Sequence, residues 1–344
     1  MSASNQSGSP ASDRIALAMT VRDEQSVLRC NLLYHHFLGV EHCFVYDDGS
    51  TDDTVASTAD LPFVTVRPSV APSEIVVTPE LSKTAVAHKD EVMGRQMMNT
   101  AHAMAEARAV GFQWLVSLDA DELVVLDYTN AAPGSLATRL GALSSSVDEA
   151  VFRTLEMVQR KLSYEKPMIE ESLFKVANSG AMRESYDPFA QRVEKIPAVY
   201  GHRAGKRAVR LNIEAYPRIH RFLGPHDARL RAQRVGGLLH FFAADFATFL
   251  RKYRLMKDRP DRAPSGRTAS YQMRLWRDVV NRSGLDDEGL RDYYEHWVMF
   301  SDDQLKRLKG RRTLLVKRRP VLVEVTSASD ALRALGCSET VGAA

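Results

Sequence analysis

The residues best suited to chemistry stand at the end of the apolar run Trp114-Leu115-Val116-Ser117-Leu118, which is followed by Asp119-Ala120-Asp121-Glu122-Leu123. Such a run reads as a buried strand, and this one delivers Asp119, Asp121 and Glu122 at its carboxyl end. Carboxylates this close repel one another, and burying them is costly unless a cation or a proton compensates the charge. A divalent metal would do so. Mg²⁺ or Mn²⁺ takes oxygen ligands and keeps positions open for water and for phosphate oxygens. The plainer reading is a strand end whose acids face solvent, and Asp-x-Asp alone does not separate the two.

What precedes the run decides more. Arg14 to Val21 is a nearly continuous apolar stretch, the mark of a strand buried on both faces. Arg22-Asp23-Glu24 opens a helical pattern through Val27, Cys30, Asn31, Tyr34, Phe37 and Leu38 that stops at Gly39. Val40 to Tyr46 is a second strand ending in Asp47-Asp48-Gly49-Ser50-Thr51-Asp52, where Gly suits a tight turn and Ser or Thr a helix cap. Phe63 to Val66 reads as a third strand, and Asp90 to Gly111 as a helix leading into Trp114. This alternation predicts an α/β fold with a mostly parallel sheet, in which ligands gather outside the carboxyl ends of the strands. Both acidic clusters lie at such ends. Asp47 or Asp48 is then placed for a ribose or base, and Asp119 and Asp121 for a metal-bound diphosphate. No G-x-G-x-x-G follows the first strand, and no G-x-x-x-x-G-K-[ST] loop is present.

Composition sets the remaining bounds. A chain of 344 residues, 44% hydrophobic and 26% charged, can bury one large core or two modest ones. Its net charge of +3 gives no reason to expect a nucleic-acid partner. Cys30, Cys43 and Cys337 lack metal-ligand spacing and suit a reducing compartment. Residues 1–12, rich in Ser, Ala and Gly, read as a disordered tail rather than a signal peptide. The expected location is therefore cytoplasmic. From Gln304 to Arg319 the chain carries eight Lys and Arg and no acid, which is either a solvated face or a peripheral contact with an anionic membrane.

Four motifs, in this order and on these elements, resemble the nucleotide-sugar half of a GT-A glycosyltransferase of the family 2-like and family 92-like group. Arg22-Asp23-Glu24 resembles the group's basic-Asn-Glu triplet, and Tyr34-His35-His36-Phe37-Leu38-Gly39-Val40 its Tyr-His-x-x-x-Gly-Val. Asp47-Asp48-Gly49-Ser50-Thr51-Asp52 resembles its Asp-x-Gly-Ser-x-Asp, and Asp119-Ala120-Asp121-Glu122-Leu123 its Asp-x-Asp-Glu-Phe. Asp23 in place of Asn and Leu123 in place of Phe are the departures. The likeness covers the first third of the chain well. Gly205-Lys206, Ile219-His220 and the apolar run ending at His240 resemble its later pattern more loosely.

The resemblance implies a GT-A (Rossmann-like) domain over 13–256, with a nucleotide-sugar half (13–125) and an acceptor half (126–256), and a helical, basic extension over 257–344. It implies an inverting transfer of a sugar from a nucleoside-diphosphate donor, uridine-linked, to a hydroxyl of a glycan or other acceptor. Donor contacts are expected from Thr20, Arg22, Glu24, Asp47, Asp48 and Asp119, and metal ligation from Asp119, Asp121 and His240. His240 in an apolar run could equally be a core histidine. Lys206, Arg207 and Arg210 could clamp the diphosphate or form a solvated basic loop. Inversion needs a base on the acceptor side, for which Glu184 and Asp187, in a stretch read as loop, and Glu122 are the candidates. The helix Asp245 to Met256 reads as a core-packing element with a solvated basic end. A catalytically inactive glycan- or partner-binding module and a nucleotidyltransferase are the rival readings.

Overall fold

Strand β1 (Ile15–Val21) shows why a sheet forms here: Ile15, Leu17, Met19 and Val21 enter one core while Ala16 and Ala18 enter another. Alternate side chains on a strand face opposite ways, so a run apolar at every position must be covered on both faces. Helix α1 (Leu28–Phe37) covers the first face with Leu28, Leu32 and Leu33. The computed structural model describes residues 13–126, 135–176, 182–199, 204–259, 261, 269–310 and 315–317.

The chain continues through β2 (His42–Asp47), β3 (Val64–Pro68), the short α2 (Pro79–Thr84), α3 (Val92–Ala109), β4 (Trp114–Leu118) and β5 (Glu122–Val125). Met97, Met98, Ala103, Met104 and Ala107 of α3 cover the alanine face of β1. Then come α4 (Leu136–Gly141), β6 (Glu149–Met157), α5 (Pro167–Glu170), β7 (Leu173–Val176), the hairpin β8 (Met182–Asp187) and β9 (Arg192–Pro197), and β10 (Lys206–Arg210). The pair β11 (Tyr216–Arg218) and β12 (Arg221–Leu223) precedes β13 (Ala232–His240). Helices α6 (Phe246–Leu255), α7 (Tyr271–Arg282), α8 (Asp287–Trp297) and α9 (Asp302–Gly310) and strand β14 (Leu315–Lys317) complete the described chain.

The main sheet runs β14-β7-β6-β10-β4-β1-β2-β3, with β13 joined to β5 and β6. Its β3-β2-β1-β4 half is parallel. Beyond it the sheet is mixed, because β10 runs antiparallel between β4 and β6 while β13 is parallel to β6. The expected α/β architecture, a sheet with parallel strands flanked by helices, is the one observed.

Two local expectations are corrected. Helix α1 starts at Leu28 rather than Arg22. Asp23 holds φ of 53°, its amide donates to Ser50 Oγ at 3.0 Å, and its carboxylate accepts the Thr51 amide at 2.7 Å. Asx-type bonding of this kind competes with helix formation. The stretch Lys161 to Ala190, read as loop, contains α5, β7 and β8, since its strands are short and gain their partners from β6, β14 and β9.

A separate core joins Phe249, Leu250 and Tyr253 of α6 to Leu275, Trp276 and Val279 of α7 and to Leu290, Tyr293 and Tyr294 of α8. Each such buried side chain contributes about 1.5–3 kcal/mol, so this core anchors α6 firmly. It spans position 256. Among the described residues no helix is long and apolar enough to cross a membrane.

Candidate active site

The acid turn between β4 and β5 is held from below. Glu122 is fully buried and its Oε2 accepts the Asp119 amide at 2.8 Å. Asn31 on α1 donates to the carbonyls of Ala120 at 2.8 Å and Glu122 at 2.7 Å. Tyr34 donates to the Val124 carbonyl at 2.7 Å. His35 bonds Asn31 Oδ1 through Nδ1 at 2.6 Å and accepts the Val124 amide through Nε2 at 3.2 Å. Burial pushes the His35 imidazole down to about 4, which keeps it neutral. The Tyr34-His35 motif therefore positions β5, and His36 stacks on Phe63 with ring centroids 3.9 Å apart.

Above this support each acid meets a cation from a distant element. Lys206, only 1% exposed, reaches Asp119 Oδ1 at 2.8 Å and lies 3.6 Å from Glu122 Oε2. Burial would lower its pKa, but Asp119, Glu122 and Asp121 together raise it, so it stays charged. Its entry depends on Gly205, which takes φ of +73° and would place a Cβ 2.0 Å from the Phe152 carbonyl. Only glycine fits there. Gln96 of α3 also donates to Asp119. Asp121 accepts Lys252 Nζ of α6 at 3.0 Å and has His240 Nε2 at 3.7 Å. Burial favours its neutral form, yet the charges of Lys252, His240 and Lys206 prevail and hold it below the usual carboxylate range.

The second cluster joins the first through the start of α3, where consecutive residues touch one cluster each. Arg95 grips Asp48 at 2.5 and 2.7 Å, and Gln96 reaches Asp119. Ser69 also donates to Asp48, at 2.9 Å. Asp47 accepts the Ser50 amide at 3.1 Å, fixing the turn at Gly49. Thr20 accepts Asn99 Nδ2 at 2.9 Å. Glu24 pairs with Arg251 of α6 at 3.1 Å, and Arg251 also donates to the Arg22 carbonyl at 3.3 Å. Burial, with Arg251 opposing and Asp121 adding, pushes Glu24 up to about 7. The Arg22 side chain is exposed.

Several expected site residues lie elsewhere. Arg210 pairs with Trp114 at the start of β4, roughly 13 Å along the strand from Lys206 at ordinary strand rise. There its guanidinium donates to the Val147 and Leu143 carbonyls at 2.8 and 3.0 Å and lies over the Trp114 ring. Arg207 pairs with Glu149. Glu184 and Asp187 sit on the β8–β9 hairpin, a sheet of its own. Glu184 is exposed opposite Lys195. Asp187 caps its turn, accepting the Phe189 and Ala190 amides at 2.9 and 3.0 Å and the Tyr271 hydroxyl at 2.5 Å. Glu122, buried under the turn, has the geometry of a support.

Sequence reasoning missed Lys252 and Arg251. Their helix was expected to end in solvated basic residues, as Arg254 and Lys257 do. Nothing in the pattern separates the inward pair from the outward one, because their direction is set by how Phe249, Leu250 and Tyr253 seat the helix. Cys337 and, in the basic run after Gln304, Arg311, Arg312, Arg318 and Arg319 lie outside the described residues.

The fold and site thus define an α/β protein with an acidic crevice at the carboxyl ends of its parallel strands, lined by bound ammonium and guanidinium groups. No family model matches the chain. It is similar to an Arabidopsis thaliana protein named glycosyltransferase-like, at 25% identity over 236 residues, 66% of this chain and 44% of that one. The chain thus spans less than half the length of that relative. Among solved structures it is similar to glucosyl-3-phosphoglycerate synthase of Mycobacterium tuberculosis. The complex with Mn²⁺, UDP and glucosyl-3-phosphoglycerate has 13% identity over 67% of this chain and 72% of that one, with a TM-score of 0.32. The complex with Mg²⁺ and UDP has 13% identity over 72% and 79%, with a TM-score of 0.31. Superposition at these scores is partial, and the fold assignment stands on the strand order itself.

Proposed function

We propose that the protein is a divalent-metal-dependent glycosyltransferase that moves a sugar from a uridine-diphosphate donor to a hydroxyl acceptor with inversion. One observation carries the reading: Asp119 and Asp121 stand at the carboxyl end of β4, and Gln96 on Asp119 and Arg95 on Asp48 link that end to the end of β2, where Asp48 follows Asp47. Such a crevice suits a nucleotide at one end and a diphosphate at the other. The glycosyltransferase-like relative and the four motifs agree with it. Inversion and the uridine donor rest on the motif resemblance. A cytoplasmic setting fits the free thiols Cys30 and Cys43.

The donor set fits a metal in a particular way. Among the described residues, no group of three or more His, Cys, Asp or Glu side chains could hold an ion. Asp121 and His240 lie side by side, while Asp119 turns to Lys206. Mg²⁺-type ions commonly use one or two carboxylates and take substrate phosphates for the rest. Asp121, with Asp119 and His240 nearby, would hold the ion together with the donor. Bound there, it would supply Lewis-acid stabilisation of the departing diphosphate. Asp47 would meet the base or ribose, Thr20, Arg22 and Glu24 would flank the donor, and Lys206 would hold Asp119 in place.

A panel of nucleotide sugars tested with and without Mn²⁺ checks the reading. A UDP-sugar with Mn²⁺ should raise the melting temperature and be hydrolysed slowly without acceptor, and chelator should abolish both effects. Asp121→Asn should fold normally and lose turnover by at least about 100-fold, the scale of removing one electrostatic group. If no nucleotide sugar stabilises the protein, the reading fails.

A further inference from the structure

Lys252 holds a position that this function has not used. Its ammonium sits 3.0 Å from Asp121 Oδ2 and 4.2 Å from the centre of the Phe242 ring, a placement that favours a cation. The helix that carries it is fixed by the core of α6, α7 and α8, while the side chain remains 26% exposed. Asp121, Glu24 and Asp119 all act on its charge. Glu24 already has Arg251 and Asp119 already has Lys206.

From this arrangement we infer that Lys252 occupies Asp121 in place of the metal until the donor arrives, and that it couples metal binding to diphosphate binding. The inference rests on the metal-dependent reading above and deepens it. A divalent ion on Asp121 would stand beside the ammonium and repel it strongly in a partly buried site. Lys252 would then have to leave a carboxylate for surroundings whose other acids are already paired. The ion alone should therefore bind weakly. A diphosphate supplies the anion that the displaced ammonium needs, so the two ligands should favour each other, and by linkage equally in both directions.

The experiment measures free Mn²⁺ by its electron paramagnetic resonance signal in titrations of the full chain, with and without UDP. Wild type should bind Mn²⁺ weakly alone and at least about tenfold more tightly with UDP, a usual size for coupling between sites. Lys252→Met keeps the aliphatic stem over Phe242 and removes the charge. It should bind Mn²⁺ alone about tenfold more tightly and lose about tenfold of the coupling. Lys252→Gln should behave alike, so that poor folding of one variant does not decide the matter. Lys252→Arg should keep the wild-type pattern. Arg254→Met removes an exposed charge from the same helix, one paired with Asp287, and should leave Mn²⁺ affinity unchanged. If wild type binds Mn²⁺ with UDP but both neutral Lys252 variants bind Mn²⁺ alone as wild type does, the role of Lys252 is overturned and the metal-dependent reading stands. If Arg254→Met tightens Mn²⁺ binding as much as Lys252→Met, the effect is general charge and the inference is again overturned. A wild type that binds neither Mn²⁺ nor UDP overturns both.

Discussion

Two acid-bearing turns in this molecule are satisfied in opposite ways. At 119–122 the carboxylates draw cations from β10 and α6, far away in sequence. At the β8–β9 hairpin Asp187 is satisfied by Phe189, Ala190 and Tyr271, and Glu184 by solvent. Local amides finish a turn. Distant ammonium groups meet Asp119 and Asp121, and the exchange of a protein cation for a ligand proposed above would draw on that charge. The contrast is one of charge: Asp187 meets two local amides and the neutral Tyr271 hydroxyl, whereas Asp119 and Asp121 meet ammonium groups.

Removing the central cation should give the largest effect. Lys206→Met removes the buried ammonium that faces Asp119 and Glu122, and breaking a buried pair in this way costs about 3–5 kcal/mol. Urea unfolding should show it, and an unchanged midpoint would mean the acids are compensated by other means.

Next in size is a pH effect carried by two groups of opposite sign. His35 titrates near 6.5 when unfolded and about 4 when folded, so its contribution is present above 6.5 and is lost as pH falls towards 4. Glu24 is raised from 4.5 to about 7, so the folded state binds the extra proton, and stability declines as pH rises through that window. The two slopes oppose each other in the wild type. In Glu24→Gln the opposing slope is removed, and His35, joined by His42 and His102, whose imidazoles burial also lowers, should make stability rise with pH, His35 itself contributing up to about 3 kcal/mol between pH 4 and 6.5. A flat profile in that variant would show that His35 is not held neutral.

Asn31→Ala removes both donors beneath the acid turn and should cost about 2 kcal/mol, the sum of lost bonds and unsatisfied carbonyls. It should also weaken Mn²⁺–UDP binding, which a purely structural asparagine would leave alone. On the hairpin, Asp187→Asn should cost about 1 kcal/mol and Glu184→Gln less than about 0.5 kcal/mol, with donor binding and transfer unchanged for both. Loss of transfer with normal donor binding in either variant would erase the contrast and return the catalytic base to the hairpin.

Much of the first third was legible because its signals are local. Apolar runs at Ile15, His42 and Trp114 must be buried on both faces, and parallel strands place the acids that follow them at one edge. The sequence by itself therefore determined the parallel half of the sheet, the edge and the acids. It also marked Gly205 and Lys206 as a step of interest, without showing that glycine is needed for the lysine to enter beneath Asp119.

Only the tertiary structure decided which cations meet those acids. Lys206 and Arg210 lie four positions apart on one strand, yet the antiparallel insertion of β10 sends one to the acids and the other to the far end of β4. Lys252 and Arg254 lie two positions apart on α6, and the seating of Phe249 and Tyr253 turns one to Asp121 and leaves the other on the surface. The formal charge is the same for members of each pair. Their difference arises from strand direction and helix packing, which depend on contacts between segments far apart in the chain and leave no mark on the residues themselves.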